Sequence, residues 1–256
     1  MSPEVLEPIA DAAWPARERE RLGGWRLNAT DGFSLRINAC WPLGEPGRDP
    51  EAAIDAVEAF YAQRDLPVRF KLTDGALAPA DLAERLSRRG YAFHGETLLM
   101  TGGVAGLPDP EVVLSGDPDP AFEALLVASA QGNAADARER LEALGRIPAP
   151  ARFARLTLEG RTAALGACAV DGQAVGIFGM RTDPDFRRRG LARRVLDALL
   201  EQAAGLGART AYLQVEAANA LAIGLYAARG FSTAYRYRYW SNDARHCRCA
   251  ALRPGR

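Results

Sequence analysis

Apolar positions along this chain follow two periods, and the order in which they alternate outlines the architecture. Residues 25–28 and 33–40 alternate in strand fashion on either side of Ala29-Thr30-Asp31-Gly32, where Asp-Gly predicts a hairpin because glycine tolerates the positive φ of the turn. Residues 50–64 repeat at helical spacing, with Ala53, Val57, Phe60 and Tyr61 on one face. A strand over 68–72, a helix over 79–89 ended by Gly90, and a strand over 91–101 follow. Residues 102–120 concentrate Gly, Pro and Asp and read as a joint. Helical patterns then cover 121–130 and 134–144 and stop before Pro148 and Pro150. Strand patterns cover 153–158, 162–170 and 174–181, joined by Glu159-Gly160 and Asp171-Gly172. A helix over 191–205 presents Leu196, Leu199 and Leu200 inward; a strand over 210–215, a helix over 220–229 and a strand over 232–240 complete the pattern.

Three antiparallel strands followed by helix, strand, helix and strand describe an α+β fold with one crossover rather than a doubly wound sheet. The two halves are alike. Ser87-Arg88-Arg89-Gly90-Tyr91 and Ala227-Ala228-Arg229-Gly230-Phe231 both close a helix before a last strand. Such a run caps many helices, but the matching order of elements favours an internal duplication. The expected division is 1–105 and 106–256, each half a mostly antiparallel mixed sheet flanked by helices.

Composition narrows the partners. Lys+Arg and Asp+Glu each number 32, so no overall field draws in nucleic acid or a membrane surface. The first residues lack the pattern of a signal peptide, and no apolar run approaches the roughly 18 residues of a membrane span. The expectation is a cytoplasmic protein with reduced thiols. Cys168 lies in an apolar strand pattern and reads as a buried thiol. His246-Cys247-Arg248-Cys249 lacks the spacing and ligand number of a zinc site, so no metal is expected.

The chemistry concentrates in Met180-Arg181-Thr182-Asp183-Pro184-Asp185-Phe186-Arg187-Arg188-Arg189-Gly190-Leu191-Ala192. A strand ends, Asp-Pro breaks its ladder, and a basic loop runs into a helix, whose free N–H groups and positive dipole end suit phosphate. A solvated basic helix start accounts equally well for the loop taken alone. Neither the Gly-Lys-Ser/Thr ending of a nucleotide phosphate loop nor the three glycines of a dinucleotide fold is present.

Arg187-Arg188-Arg189-Gly190-Leu191-Ala192 resembles the loop of the GNAT superfamily of acetyl-CoA-dependent N-acyltransferases, in which Arg or Gln is followed by two residues, Gly, one residue, and Gly or Ala. Asn219, Ala222, Leu225-Tyr226 and Gly230-Phe231 match that superfamily's second run, and together the two cover about 153–240. The resemblance implies that acetyl-CoA is the cosubstrate and that its pyrophosphate lies on Arg187, Arg188, Arg189, Gly190, Leu191 and Ala192. Backbone groups of Met180 and Thr182 would hold the pantetheine arm and polarise the thioester, Asn219 would bond the arm, and Tyr226 would protonate the departing thiolate. Leu225 and Tyr226 are also plausible core residues by pattern alone.

The first half departs from the pattern, since residues 41–50 contain no such loop, and Pro79 and Leu86 stand where Asn219 and Tyr226 stand. The chain thus resembles tandem-GNAT proteins with a degenerate first half that supports the second and walls its substrate groove. The acceptor implied is an amine, on a small molecule or a peptide, attacking directly. Glu216 is the first candidate for its base and His94 the second. Tyr235, Tyr237 and Tyr239 alternate with Arg236 and Arg238, which reads as an aromatic inner face, as part of the acceptor pocket with Trp240, or as a surface for single-stranded nucleic acid. A non-catalytic acyl-CoA sensor and a protein-interaction module are the alternative functions, and the sequence leaves oligomerisation open.

Overall fold

The computed structural model describes residues 1–242, in which the strands of both halves merge into one sheet of eleven. The first half contributes β1 (Glu18–Leu22), β2 (Trp25–Ala29), β3 (Cys40–Pro42), β4 (Arg69–Thr73) and β5 (Ala92–Gly103). The second contributes β6 (Val112–Ser115), β7 (Ala151–Leu158), β8 (Arg161–Asp171), β9 (Ala174–Thr182), β10 (Thr210–Glu216) and β11 (Ser232–Ser241). Their spatial order is β1-β2-β3-β4-β11-β5-β10-β9-β8-β7-β6. Each half has exchanged its last strand: β11 lies between β4 and β5, and β5 completes the second half by pairing with β10. Only β3–β4 and β9–β10 run parallel among these pairs.

Seven α-helices cover the sheet among the described residues. On one face lie α1 (Pro3–Ala13), α4 (Pro120–Ala128) and α5 (Ala134–Gly145); on the other lie α2 (Pro50–Ala62), α3 (Leu82–Arg88), α6 (Leu191–Gly205) and α7 (Ala220–Ala227). The predicted inner residues Leu196, Leu199 and Leu200 of α6 are at most 1% exposed, and burial contributes about 1.5–3 kcal/mol for each. None of the described helices is long and apolar enough to cross a membrane.

Helix α1 and β1 fall in a region where the pattern predicted neither. Leu6, Ala10 and Ala13 pack α1 over Ala169, Ala174 and Phe178 of the second half. The same helix buries two carboxylates that bind the first half. Glu7 pairs with Lys71 and accepts from Tyr235 Oη at 2.9 Å, and Asp11 accepts from Arg26 at 2.8 Å and Asn28 at 2.7 Å. Burial lowers the Lys71 ammonium to about 8 against the opposing attraction of Glu7, and the rings of Trp41 and Tyr237 sandwich its charge at 3.5 and 4.1 Å.

Two further differences from the pattern have local causes. The joint over 102–120 contains β6, a short edge strand held by β7. The predicted tight hairpin at Asp31-Gly32 is a ten-residue excursion, 30–39, between the antiparallel strands β2 and β3. Asn38 Oδ1 accepts the N–H groups of Thr30 at 2.8 Å and Gly32 at 2.9 Å, which folds the loop on itself. Glu139 of α5, fully buried, accepts from the N–H groups of Asp31 (2.8 Å), Phe33 (3.2 Å) and Ser34, and from Asn38 Nδ2 (3.1 Å). A carboxylate from the second half thus replaces the cross-strand ladder that a tight turn would have made. Replacing Glu139 with Ala strands three backbone donors, and urea denaturation is expected to show a loss of about 2–4 kcal/mol.

Candidate active site

The parallel strands β9 and β10 are paired only from Ala174–Thr210 to Ile177–Leu213. Beyond that point β9 stays on β8 as far as Thr182, and β10 stays on β5 as far as Glu216. The two strands therefore part, and a wedge opens between them. A bulge assists: Gly179 and Met180 together face the single residue Gly166 of β8, with Gly179 at φ +61°. Gly166 has no room for a side chain, since a Cβ there would overlap Met180 Sδ. The bulge turns Met180 toward the α6 core and leaves Arg181 on the α5 side. Met180 and Thr182 thus lie on the lip of the wedge, where their main chain borders the open side.

From that lip the chain enters a turn fixed by Asp183, which accepts from Asp185 N–H at 3.0 Å and pairs with Arg161 at 2.7 Å. These contacts, the backbone bond first, hold its carboxyl below the usual range. Phe186 is buried and anchors the loop. Arg188 and Gly190 then adopt left-handed backbone, φ +63° and +75°, and α6 begins with no side-chain cap. The N–H groups of Arg188, Arg189, Gly190, Leu191 and Ala192 have no partner among the described residues. Five orphan donors at the positive end of a fifteen-residue helix, beside exposed Arg187 and Arg188, form a concavity suited to a phosphate ester. Arg189 is partly engaged already, 3.4 Å from Glu159.

Across the wedge, Asn219 caps α7: its Oδ1 accepts from Ala222 N–H at 3.1 Å, which leaves its amide N–H groups for another acceptor. Tyr226, 7% exposed, packs against Phe231 with ring centroids 6.1 Å apart. Burial raises its phenol pKa, and the charge of Arg181 opposes the rise. The phenol remains protonated at neutral pH, as a proton donor must.

Arg181 was not foreseen. Its side chain reaches solvent but sits in a concave setting, where burial lowers its pKa, Arg140 adds to that, and Tyr226, Glu216 and Asp136 counteract it. The fold thereby brings Tyr226 and exposed Glu216 to a common neighbour at the mouth of the wedge. His94 is not brought in: it stands opposite Tyr239 with Nε2 3.3 Å from the Ser241 carbonyl, three positions along β5 from Thr97, the partner of Glu216. Tyr235, Tyr237 and Tyr239 form a buried face, Trp240 lies on the opposite one, and Arg236 and Arg238 are held by Glu96 and Asp74. Cys168 is buried, and desolvation pushes its thiol up to about 12. His246, Cys247 and Cys249 lie outside the described residues. The one signal in the sequence for the bulge was an isolated glycine, Gly179, inside a strand pattern.

Splayed parallel strands, a bulge at their parting and an uncapped basic helix start define the class of fold, that of the GNAT proteins. The chain belongs to the family described as "Probable histone acetyltransferase Rv0428c C-terminal", whose model matches residues 4–240. The probable histone acetyltransferase Rv0428c of Mycobacterium tuberculosis is 32% identical over 225 residues, covering 82% of this chain and 65% of that protein. A [ribosomal protein bS18]-alanine N-acetyltransferase of Salmonella typhimurium is 40% identical over 80 residues, 31% of this chain and 54% of that protein. The chain thus spans about half to two thirds of these relatives' length. Among solved structures, a GCN5-related N-acetyltransferase from Kribbella flavida shares the fold with a TM-score of 0.69 at 16% identity, over 94% of this chain and 95% of that one.

Proposed function

We propose that the second half, 106–256, moves an acetyl group from acetyl-CoA to a primary amine by direct attack, and that the first half, 1–105, is a degenerate copy that supports it. The observation that carries the reading is the wedge between β9 and β10 ending at the orphan N–H groups of 188–192. Acetyl-CoA supplies the activated thioester. The residues from Arg187 to Ala192 hold its pyrophosphate, and Met180 and Thr182 bond its pantetheine arm through their main chain. A backbone N–H at the bulge stabilises the negative charge that develops on the carbonyl oxygen. Glu216 takes the proton from the attacking amine, and Tyr226 gives one to the leaving sulfur. Proton count closes, with an amide and the CoA thiol as products. The first half has no counterpart of the cradle, because the parallel contact of β3 with β4 is confined to Cys40–Phe70 and residues 41–50 lack the basic glycine loop. The relatives' names point to amines of polypeptides as acceptors, which sets the first panel to screen.

Calorimetric titration with acetyl-CoA tests the reading. One saturable site per chain is expected. Two sites would mean that the first half has kept a cradle, and no binding would remove the acetyl-CoA assignment altogether.

A further inference from the structure

The acceptor side of the wedge is unusual in the sign of its charge. Arg181 has no carboxylate within ion-pair distance among the described residues; its one hydrogen bond runs to the Met180 carbonyl at 2.8 Å. Arg140, which adds to its positive field, is already satisfied by Asp136 at 2.6 Å and Ser129 at 2.9 Å. A second unpaired guanidinium comes from the first half. Arg36 rides on the 30–39 excursion that Glu139 clamps to α5, and it lies over Trp14 at 5.9 Å, itself against Phe178 of β9 at 5.4 Å. The Nε of Arg36 is buried with no acceptor.

Gln214 and Glu216 share one face of β10. Gln214 Oε1 accepts from Tyr237 Oη at 2.7 Å, which directs its amide nitrogen the other way, and that Nε2 is also buried without an acceptor. Arg36 is close enough to Tyr237 to act on its hydroxyl electrostatically. Orphan buried donors are costly, and an anion is the acceptor that guanidinium and amide N–H groups bind best. Glu216, exposed and without an ion pair among the described residues, is the complement of an ammonium.

We propose that the acceptor is a small amine carrying a carboxylate, its amine directed to Glu216 and its carboxylate read by Arg181, with Arg36 and Gln214 supplying the further donors. The inference rests on the acetyl-transfer reading and narrows it. The same field disfavours a lysine-rich polypeptide, because the exposed Arg181 meets its charges. In this reading the first half has a defined part in the reaction, since Arg36 rides on the loop that Glu139 holds.

The test measures thiol release from acetyl-CoA with the common α-amino acids and β-alanine, each beside its carboxamide, and with a lysine-rich peptide. Carboxylate-bearing amines are expected to be used at least about tenfold more efficiently in kcat/KM than their amides, and the peptide to be poor. Arg181→Gln and, separately, Arg36→Gln should raise KM for the acid about tenfold and bring the acid-to-amide ratio toward one, with CoA affinity unchanged. Equal use of acids and amides, preference for the peptide, no turnover of any carboxylate-bearing amine by protein that binds acetyl-CoA, or an unchanged ratio in both variants would each overturn the proposal. Failure to bind acetyl-CoA would instead overturn the reading beneath it.

Discussion

Tyr226→Phe is expected to lower kcat by about two to four orders of magnitude while leaving acetyl-CoA affinity within a few-fold of wild type. Phe keeps the ring that packs on Phe231 and removes only the hydroxyl, for which no hydrogen-bond partner occurs among the described residues. The midpoint of thermal unfolding should therefore move by no more than a few degrees. What is lost is the proton donor. Without it the sulfur must depart as a thiolate and find its proton from water. Burial raises the Tyr226 pKa, with Arg181 opposing, so the phenol holds its proton from acid to neutral pH and beyond. The defect should accordingly be constant from about pH 6 to 9, below the ordinary tyrosine pKa of about 10. Steady-state rates across that range check it. A loss of less than about threefold would return Tyr226 to the role of a core residue.

The second large effect concerns the cradle. Arg187→Glu combined with Gly190→Asp should weaken acetyl-CoA binding by about a hundredfold or more, because the first replaces an attractive charge by a repulsive one and the second adds a further negative charge at the helix start. The fold should survive. Arg187 is exposed and makes no ion pair among the described residues, and a Cβ at Gly190 meets no atom within 4 Å. The φ of +75° at Gly190 costs an Asp about 1 kcal/mol of backbone strain, and Asp is among the residues that tolerate that region. Calorimetry for affinity and a urea titration for stability separate the two consequences. Unchanged affinity in a folded double variant would show that the helix start is a solvated basic end and nothing more.

Local chemistry made much of the molecule legible. The helix over 191–205 announced itself by Leu196, Leu199 and Leu200, and the strands over 151–182 by alternation and Gly-containing turns. The cradle loop could be read because an Arg-rich, glycine-bearing passage into a helix has a narrow set of uses. Other features had no local signal. Arg181 and Arg36 are ordinary arginines until the fold brings Arg181 near Tyr226 and Glu216 and lays Arg36 over Trp14. Glu139 looks like one more charge on the solvent face of an amphipathic helix; only the arrival of the 30–39 loop from the other half makes it a buried acceptor of four donors. The hairpin forecast at Asp31-Gly32 failed for the same reason, since turn propensity is worth less than the bonds that Asn38 and Glu139 provide.

Strand exchange marks the boundary between the two kinds of information. Periodicity assigned β5 and β11 as the closing strands of their halves, and in β11 it set the tyrosines and the arginines on opposite faces. It could not say that each would complete the other half's sheet, because a strand's edge bonds its neighbour through backbone groups common to every residue. The partner is chosen by what the assembled faces bury: Tyr235 beneath α1, Tyr237 and Tyr239 against Ala39 and Trp41, and the Glu7–Lys71 pair beside Tyr235 and Tyr237. Most element types and helix ends and the basic glycine loop before α6 are short-range properties and were set by the sequence in isolation. Strand partnership, the wedge between β9 and β10, and the surroundings of Arg181 are long-range properties and were decided only when the two halves packed together.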